Sequence, residues 1–135
     1  MGCDIHCWAE IKKEHGWHPV LGDAFAGLGK WYGDSPFECR DYTLFSYLAD
    51  VRNSHGAWTK PIDEPRGLPE DVSPYVQEQS DECGVDGHSH SYLSLRELEA
   101  CEYITDTYPQ NLLELRKRLL IEGGSEIRIV FWFDN

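Results

Sequence analysis

Residues 3–13, CDIHCWAEIKK, alternate between apolar and polar side chains. Ile5, Cys7, Ala9 and Ile11 fall on one side and Asp4, His6, Trp8 and Glu10 on the other, a period of two that predicts a strand. Glu14-His15-Gly16 predicts a turn, and Trp17 to Leu21 a return strand. Residues 22–36 are rich in glycine and read as an exposed loop. From Asp41 the period changes. Leu44, Phe45, Leu48 and Val51 recur at helical spacing, with Asp41 as N-cap and Gly56 beyond the end.

Ser94 and Glu97 make a capping box ahead of Leu95, Leu98 and Cys101, so a helix begins there. Pro109 opens another, with Leu112, Leu115 and Leu119 along one face. Arg116, Lys117 and Arg118 complement its C-terminal dipole, and Gly123-Gly124 stops it. The final EIRIVFWFDN alternates again, Ile127, Ile129, Phe131 and Phe133 against Arg128, Val130 and Trp132. Apolar residues on both sides predict a strand covered on both faces. Residues 57–87, with Pro61, Pro65, Pro69 and Pro74, read as a long irregular Pro/Gly-rich loop, ordered and functional rather than low-complexity. The sum is one compact α+β domain over residues 1–135. Its antiparallel or mixed sheet contains both terminal strands, with about three helices packed on it.

Composition narrows the class. A hydrophobic content of 41% with 13% aromatics fits a globule with a real core. No apolar run reaches the roughly 18 residues that span a bilayer, and the start lacks the pattern of a signal peptide, so a cytoplasmic protein is expected. Five cysteines without regular spacing argue for reduced thiols rather than a disulfide framework. With 24 acidic and 12 basic residues the net charge is −12, which excludes duplex DNA as a partner and is otherwise the pattern of a solubilising surface.

The candidate chemistry lies in two D-x-H units. Asp4 and His6 form the first; Asp86 and His88 form the second, with His90 beside it in DGHSHS. In an extended segment, positions two apart point the same way, so each unit presents a carboxylate and an imidazole together. If the loop folds back over the first strand, five ligand-type groups converge, suited to zinc, manganese or iron. The same groups can instead line a metal-free polar pocket, or serve a structural network. Arg66, inside EPRGLP, has the fork that suits a phosphate or carboxylate; a salt bridge to Glu64 or Asp71 is the structural alternative, and Arg40 and Arg52 are further exceptions in an acidic chain. Trp17, Trp31, Tyr32 and Trp58 lie in or beside loops, where one could stack on a base. Cys3 and His6, three apart on one strand, face opposite sides and do not make a nucleophile and base. No G-x-S-x-G elbow or P-loop is present.

Taken in order, MGCDIH, RDYTLFSYLADVRN, PIDEPRGLPEDVS, DGHSHSYLSLREL and RIVFWFDN resemble a family of small proteins encoded by bacteriophages and some bacteria. The likeness covers most of the chain. It implies a phage accessory protein in the cytoplasm of the infected host, a class that often counters defence, one route being capture or destruction of a nucleotide alarm signal. Three functions are then expected to compete. The first is a binding protein that sequesters a phosphorylated small molecule, a nucleotide above all, with Asp4, His6, Arg66, Asp86, His88 and His90 at the ligand. The second is a metal-dependent phosphodiesterase cleaving a cyclic nucleotide, a divalent transition metal being held by Asp4, His6, Asp86, His88 and His90. The third is an acidic mimic that blocks a host protein. A homo-oligomer is compatible with any of them.

Overall fold

The computed structural model describes residues 2–37, 40–53 and 60–134. Its centre is a four-stranded antiparallel sheet in the order β2-β1-β4-β3. The strands are β1 (Asp4–Lys13), β2 (Gly16–Pro19), β3 (Gly87–Ser94) and β4 (Glu126–Asp134). The chain is thus α+β, with both terminal strands in one sheet and paired to each other along their length, Asp4 opposite Asp134 and Lys12 opposite Glu126. Alternation along β1 and β4 is the cause. Each strand offers an apolar face, and pairing them in this register puts both faces on the same side.

Among the described residues five α-helices complete the domain: α1 (Tyr42–Ala49), α2 (Pro74–Cys83), α3 (Leu95–Glu99), α4 (Glu102–Thr107) and α5 (Pro109–Glu122). Asp41 caps α1 by accepting from the Leu44 amide, and Ser94 with Glu97 forms the capping box of α3. Asp50, at φ 60°, ends α1; Gly56 lies outside the described residues. Gly123 closes α5 at φ 69°, and Gly124 must be glycine because a Cβ there would fall 2.1 Å from Ile11 Cγ2. Ile5, Cys7, Ala9, Ile11, Ile129, Phe131 and Phe133 build the main core with Leu44, Phe45, Leu48, Leu98, Ile104 and Leu115. Burial pushes the Cys3 and Cys7 thiols up, as expected of inert core cysteines.

The stretch 57–87 is not irregular throughout. Residues 74–83 form α2, capped by Ser73 and opened by Pro74 at its first turn. Only Val76 and Ser80 of this helix are buried, so its sequence, PYVQEQSDEC, carries almost no apolar stripe. It covers the second face of the sheet, where Val76 packs with Val130 and Trp132, and Trp8, Tyr75, Tyr92 and Cys83 close around them.

Candidate metal centre

Pairing of the two terminal strands decides the site. Asp4, His6 and Trp8 of β1 share the α2 face with Asp134, Trp132 and Val130 of β4, and His6 sits directly opposite Trp132. The imidazole stacks on the indole with ring centroids 5.8 Å apart and planes within 9°. Stacking holds the ring so that its Nε2 lies 2.7 Å from Asp134 Oδ2. Cys83, the last residue of α2, brings a third donor. His6, Cys83 and Asp134 offer one nitrogen, one sulfur and one oxygen, all within 4.8 Å of one another.

Nitrogen, sulfur and carboxylate oxygen are the donors of zinc sites, and three protein ligands leave a coordination position open. Ligands about 2.0–2.1 Å from a tetrahedral ion stand roughly 3.4 Å apart, so His6 and Asp134 need to separate by only about 0.7 Å to admit one. A hydrogen bond to the sulfur would suit this role. Trp132 Nε1 donates to Cys83 Sγ over 3.2 Å, the outer hydrogen bond that a thiolate ligand uses. Beside the centre, Arg40 Nε donates to Asp4 Oδ1 at 2.6 Å and holds that carboxyl below its usual range. The guanidinium lies over Gly2, where a Cβ would stand 2.6 Å from Arg40 Nη2 and the side chain would have to shift.

The expected constellation of Asp4, His6, Asp86, His88 and His90 does not gather at one point. His90 shares the α2 face but stacks on the far side of Trp132, at 5.7 Å, so the indole separates it from His6. Its Nε2 lies 3.1 Å from Ser80 Oγ, and desolvation with the nearby His88 lowers its pKa. His88 faces the other way, against Phe133. The reason is a bulge. His88 pairs with Phe133 and Ser91 with Phe131, so β3 spends three steps on two of β4, with Ser89 at φ 55°. The extra residue reverses the alternation, and two histidines two apart in sequence end on opposite faces. His88 Nδ1 lies 3.0 Å from Ser89 Oγ, and its Nε2 is buried with no partner among the described residues. Asp86 is exposed in the 3-10 turn of residues 84–86.

Arg66 stands apart from this centre. Its guanidinium bonds Glu97 through both carboxylate oxygens, at 3.0 and 2.5 Å, and reaches Asp63 and the Tyr92 carbonyl as well. The ion-pair alternative holds, with Asp63 and Glu97 in place of Glu64 and Asp71. Trp17 packs over the Arg128 guanidinium at 3.8 Å and donates to Asp71. Tyr32 is half-buried on the main core and Trp31 is exposed, while Trp58 falls outside the described residues. Two residues of the centre escaped the sequence reading. For Asp134 a signal existed but went unused: antiparallel pairing of the two terminal strands puts FWFDN beside DIH. Cys83 had no signal, sitting at the end of a helix without a stripe. No protein-family profile, curated protein or solved structure matches the chain.

Proposed function

We propose that the protein captures a phosphorylated small molecule, a nucleotide in particular, through a transition-metal ion held by His6, Cys83 and Asp134. The observation that carries this reading is the convergence of those three donors within 4.8 Å. Charge supports it. A chain of net charge −12 repels a phosphate, and Asp4 and Asp134 at this end of the sheet add to the repulsion. A divalent ion reverses the local sign, and the Arg40 guanidinium offsets the Asp4 carboxylate with which it pairs. Sequestration of a host nucleotide signal is the role that the resemblance to phage proteins implies for such a site.

A second reading rests on the same open position. An ion held by His6, Cys83 and Asp134 would supply Lewis-acid activation of water at that position, the chemistry that hydrolysis of a cyclic nucleotide's phosphoester requires. The protein would then be a phosphodiesterase.

Elemental analysis of protein purified with zinc supplementation tests the proposal. About one metal per chain is expected in the wild type and in His88→Ala, whose ring faces the other side of the sheet, and little in His6→Ala, Cys83→Ser or Asp134→Asn. No metal in the wild type, or undiminished metal in all three variants, refutes it. A nucleotide recovered intact after heat denaturation marks capture, and recovered hydrolysis product that disappears in chelator marks the phosphodiesterase.

A further inference from the structure

β2 covers only part of the outer edge of β1. Its register pairs Glu10 to Lys13 with Pro19 to Gly16, and the last bond along that edge runs from the Val20 amide to the Ala9 carbonyl. In an antiparallel strand both main-chain groups of a residue point to the same side, and successive residues alternate. Ala9 points outward, so Cys7 and Ile5 do too, whereas Asp4, His6 and Trp8 direct their main-chain groups to β4. Among the described residues no hydrogen bond reaches Ile5 or Cys7 from the outer side. Both residues are buried, at 8% and 3% exposure, so these donors and acceptors are not simply open to bulk water.

What lies against them is a slot of about 270 Å3, with residues 5–8 as one wall and Tyr32, Asp34 and Ser35 as the other. Trp8 Nε1, a buried donor with no partner among the described residues, belongs to a residue of the same wall. The slot is short. From Ile5 to Cys7 the outward edge runs two residues, about 7 Å at the usual strand rise, and β2 blocks it beyond Ala9. That length is too small for an added peptide strand, which usually needs several paired residues. It suits a planar heterocycle with a donor and an acceptor side by side on one edge. His6 connects the two sites: it is among the residues that line the slot, and its Nε2 belongs to the metal centre.

We propose that the slot is a base-recognition subsite, taking the ring of a nucleotide edge-on to the main chain of Ile5 and Cys7. This rests on the reading of the His6 centre as the phosphate site, and it names the ligand's other half. The phosphate binds at the metal, the base enters beside β1, and His6 lies between them.

The test begins with nucleosides, which carry no phosphate and need no metal. Adenosine, guanosine, cytidine and uridine are titrated into 15N-labelled protein, with and without zinc. At least one should shift the Ile5 or Cys7 amide resonance saturably, and Ser35→Trp, which fills the slot, should abolish the shift while leaving the remaining spectrum folded. If none of the four moves either amide, the subsite is refuted, whatever the metal does. The second arm compares the four nucleoside 5′-monophosphates with ribose 5-phosphate on zinc-loaded protein. A nucleotide preference of at least tenfold, lost in Ser35→Trp with metal content unchanged, is expected. Equal affinity overturns the subsite and leaves the phosphate site standing. Nucleoside shifts without any phosphate affinity would overturn the metal-centred reading and leave the subsite.

Discussion

Arg128→Met is the substitution whose cost can be worked most fully from the structure. Glu10 is completely buried and Arg128 is 6% exposed, and they face each other across β1 and β4. Arg128 donates from Nε and Nη2 to Glu10 Oε1 at 2.9 and 2.7 Å, and from Nη1 to Asp71 at 3.0 Å. The other oxygen of Glu10 accepts from the Ser73 amide, at the N-cap of α2. Trp17 of β2 covers the guanidinium. Methionine keeps much of the volume but leaves the Glu10 carboxylate buried with one amide for company. Breaking a buried pair on one side costs about 3–5 kcal/mol. For a domain of this length that is a fall in Tm of roughly 10–20 °C.

Urea denaturation and differential scanning fluorimetry at pH 7 measure it. Glu10→Gln in the same background removes the stranded charge, so the double variant should recover about 2 kcal/mol or more relative to Arg128→Met. Arg116 supplies the contrast, because its two 2.6 Å contacts to Glu99 are exposed, and Arg116→Ala should cost less than about 1 kcal/mol. A Tm loss below about 3 °C for Arg128→Met, or strictly additive effects in the pair, would refute the reasoning.

Glu97 is held down to about 2, first by its hydrogen bond from Arg66. A depressed carboxyl contributes stability above its unfolded value of 4.5 and loses it as pH falls toward 2; with the group a third exposed, the contribution is on the order of 1–2 kcal/mol. Denaturation curves of Glu97→Gln should therefore be flatter than wild type across that acid window and nowhere else. His90 has its pKa lowered by desolvation, and a histidine kept neutral by folding loses stability as pH drops below about 6.5. Its imidazole should titrate below that value by NMR, and His90→Gln should remove part of the stability slope between pH 7 and 5. Ser89 sits at φ 55°, so Ser89→Gly should be neutral or stabilising by up to about 1 kcal/mol and Ser89→Val destabilising by about 1–2 kcal/mol, read from chemical denaturation.

The fold was legible where a period was unbroken. Alternation over 3–13 and 126–134 gave both long strands, and the caps at Asp41 and Ser94 and the proline at 109 located three helix starts. What escaped was governed by contacts remote in sequence. α2 is held by Val76 against Val130 and Trp132, and by Ser73 to Glu10, none of which appears in its own polar sequence. For the site, the D-x-H units were visible, and Asp4 and His6 do share a face. The second unit failed as a constellation because periodicity assumes an unbroken ladder. One residue at a left-handed φ turns His88 to the core side, and no local rule marks Ser89 in HSHS for that conformation.

Trp132 is where the two faces of this reading meet, and its substitution separates packing from metal chemistry. The indole is 1% exposed, lies between His6 and His90, and donates its only N–H to Cys83. Trp132→Phe preserves an aromatic surface for both histidines but removes the donor. If Cys83 is a metal ligand, its thiolate then loses the hydrogen bond that disperses its charge, and such outer-shell losses weaken metal affinity by about 10–100-fold. Zinc affinity measured by competition with a chromophoric chelator should fall by that factor while the stoichiometry stays at about one per chain. Cys83→Ser tests the ligand itself and should abolish tight binding. A void left by the smaller ring lowers Tm in both the metal-free and metal-loaded protein, so packing alone predicts parallel losses. The metal reading predicts a larger loss in the zinc-loaded protein, by about 1.4–2.7 kcal/mol for a 10–100-fold weaker affinity when zinc is well above both dissociation constants, because weaker binding contributes less stability. Parallel losses with unchanged zinc affinity would reduce the Trp132–Cys83 contact to packing and leave the centre without an outer hydrogen bond to its sulfur.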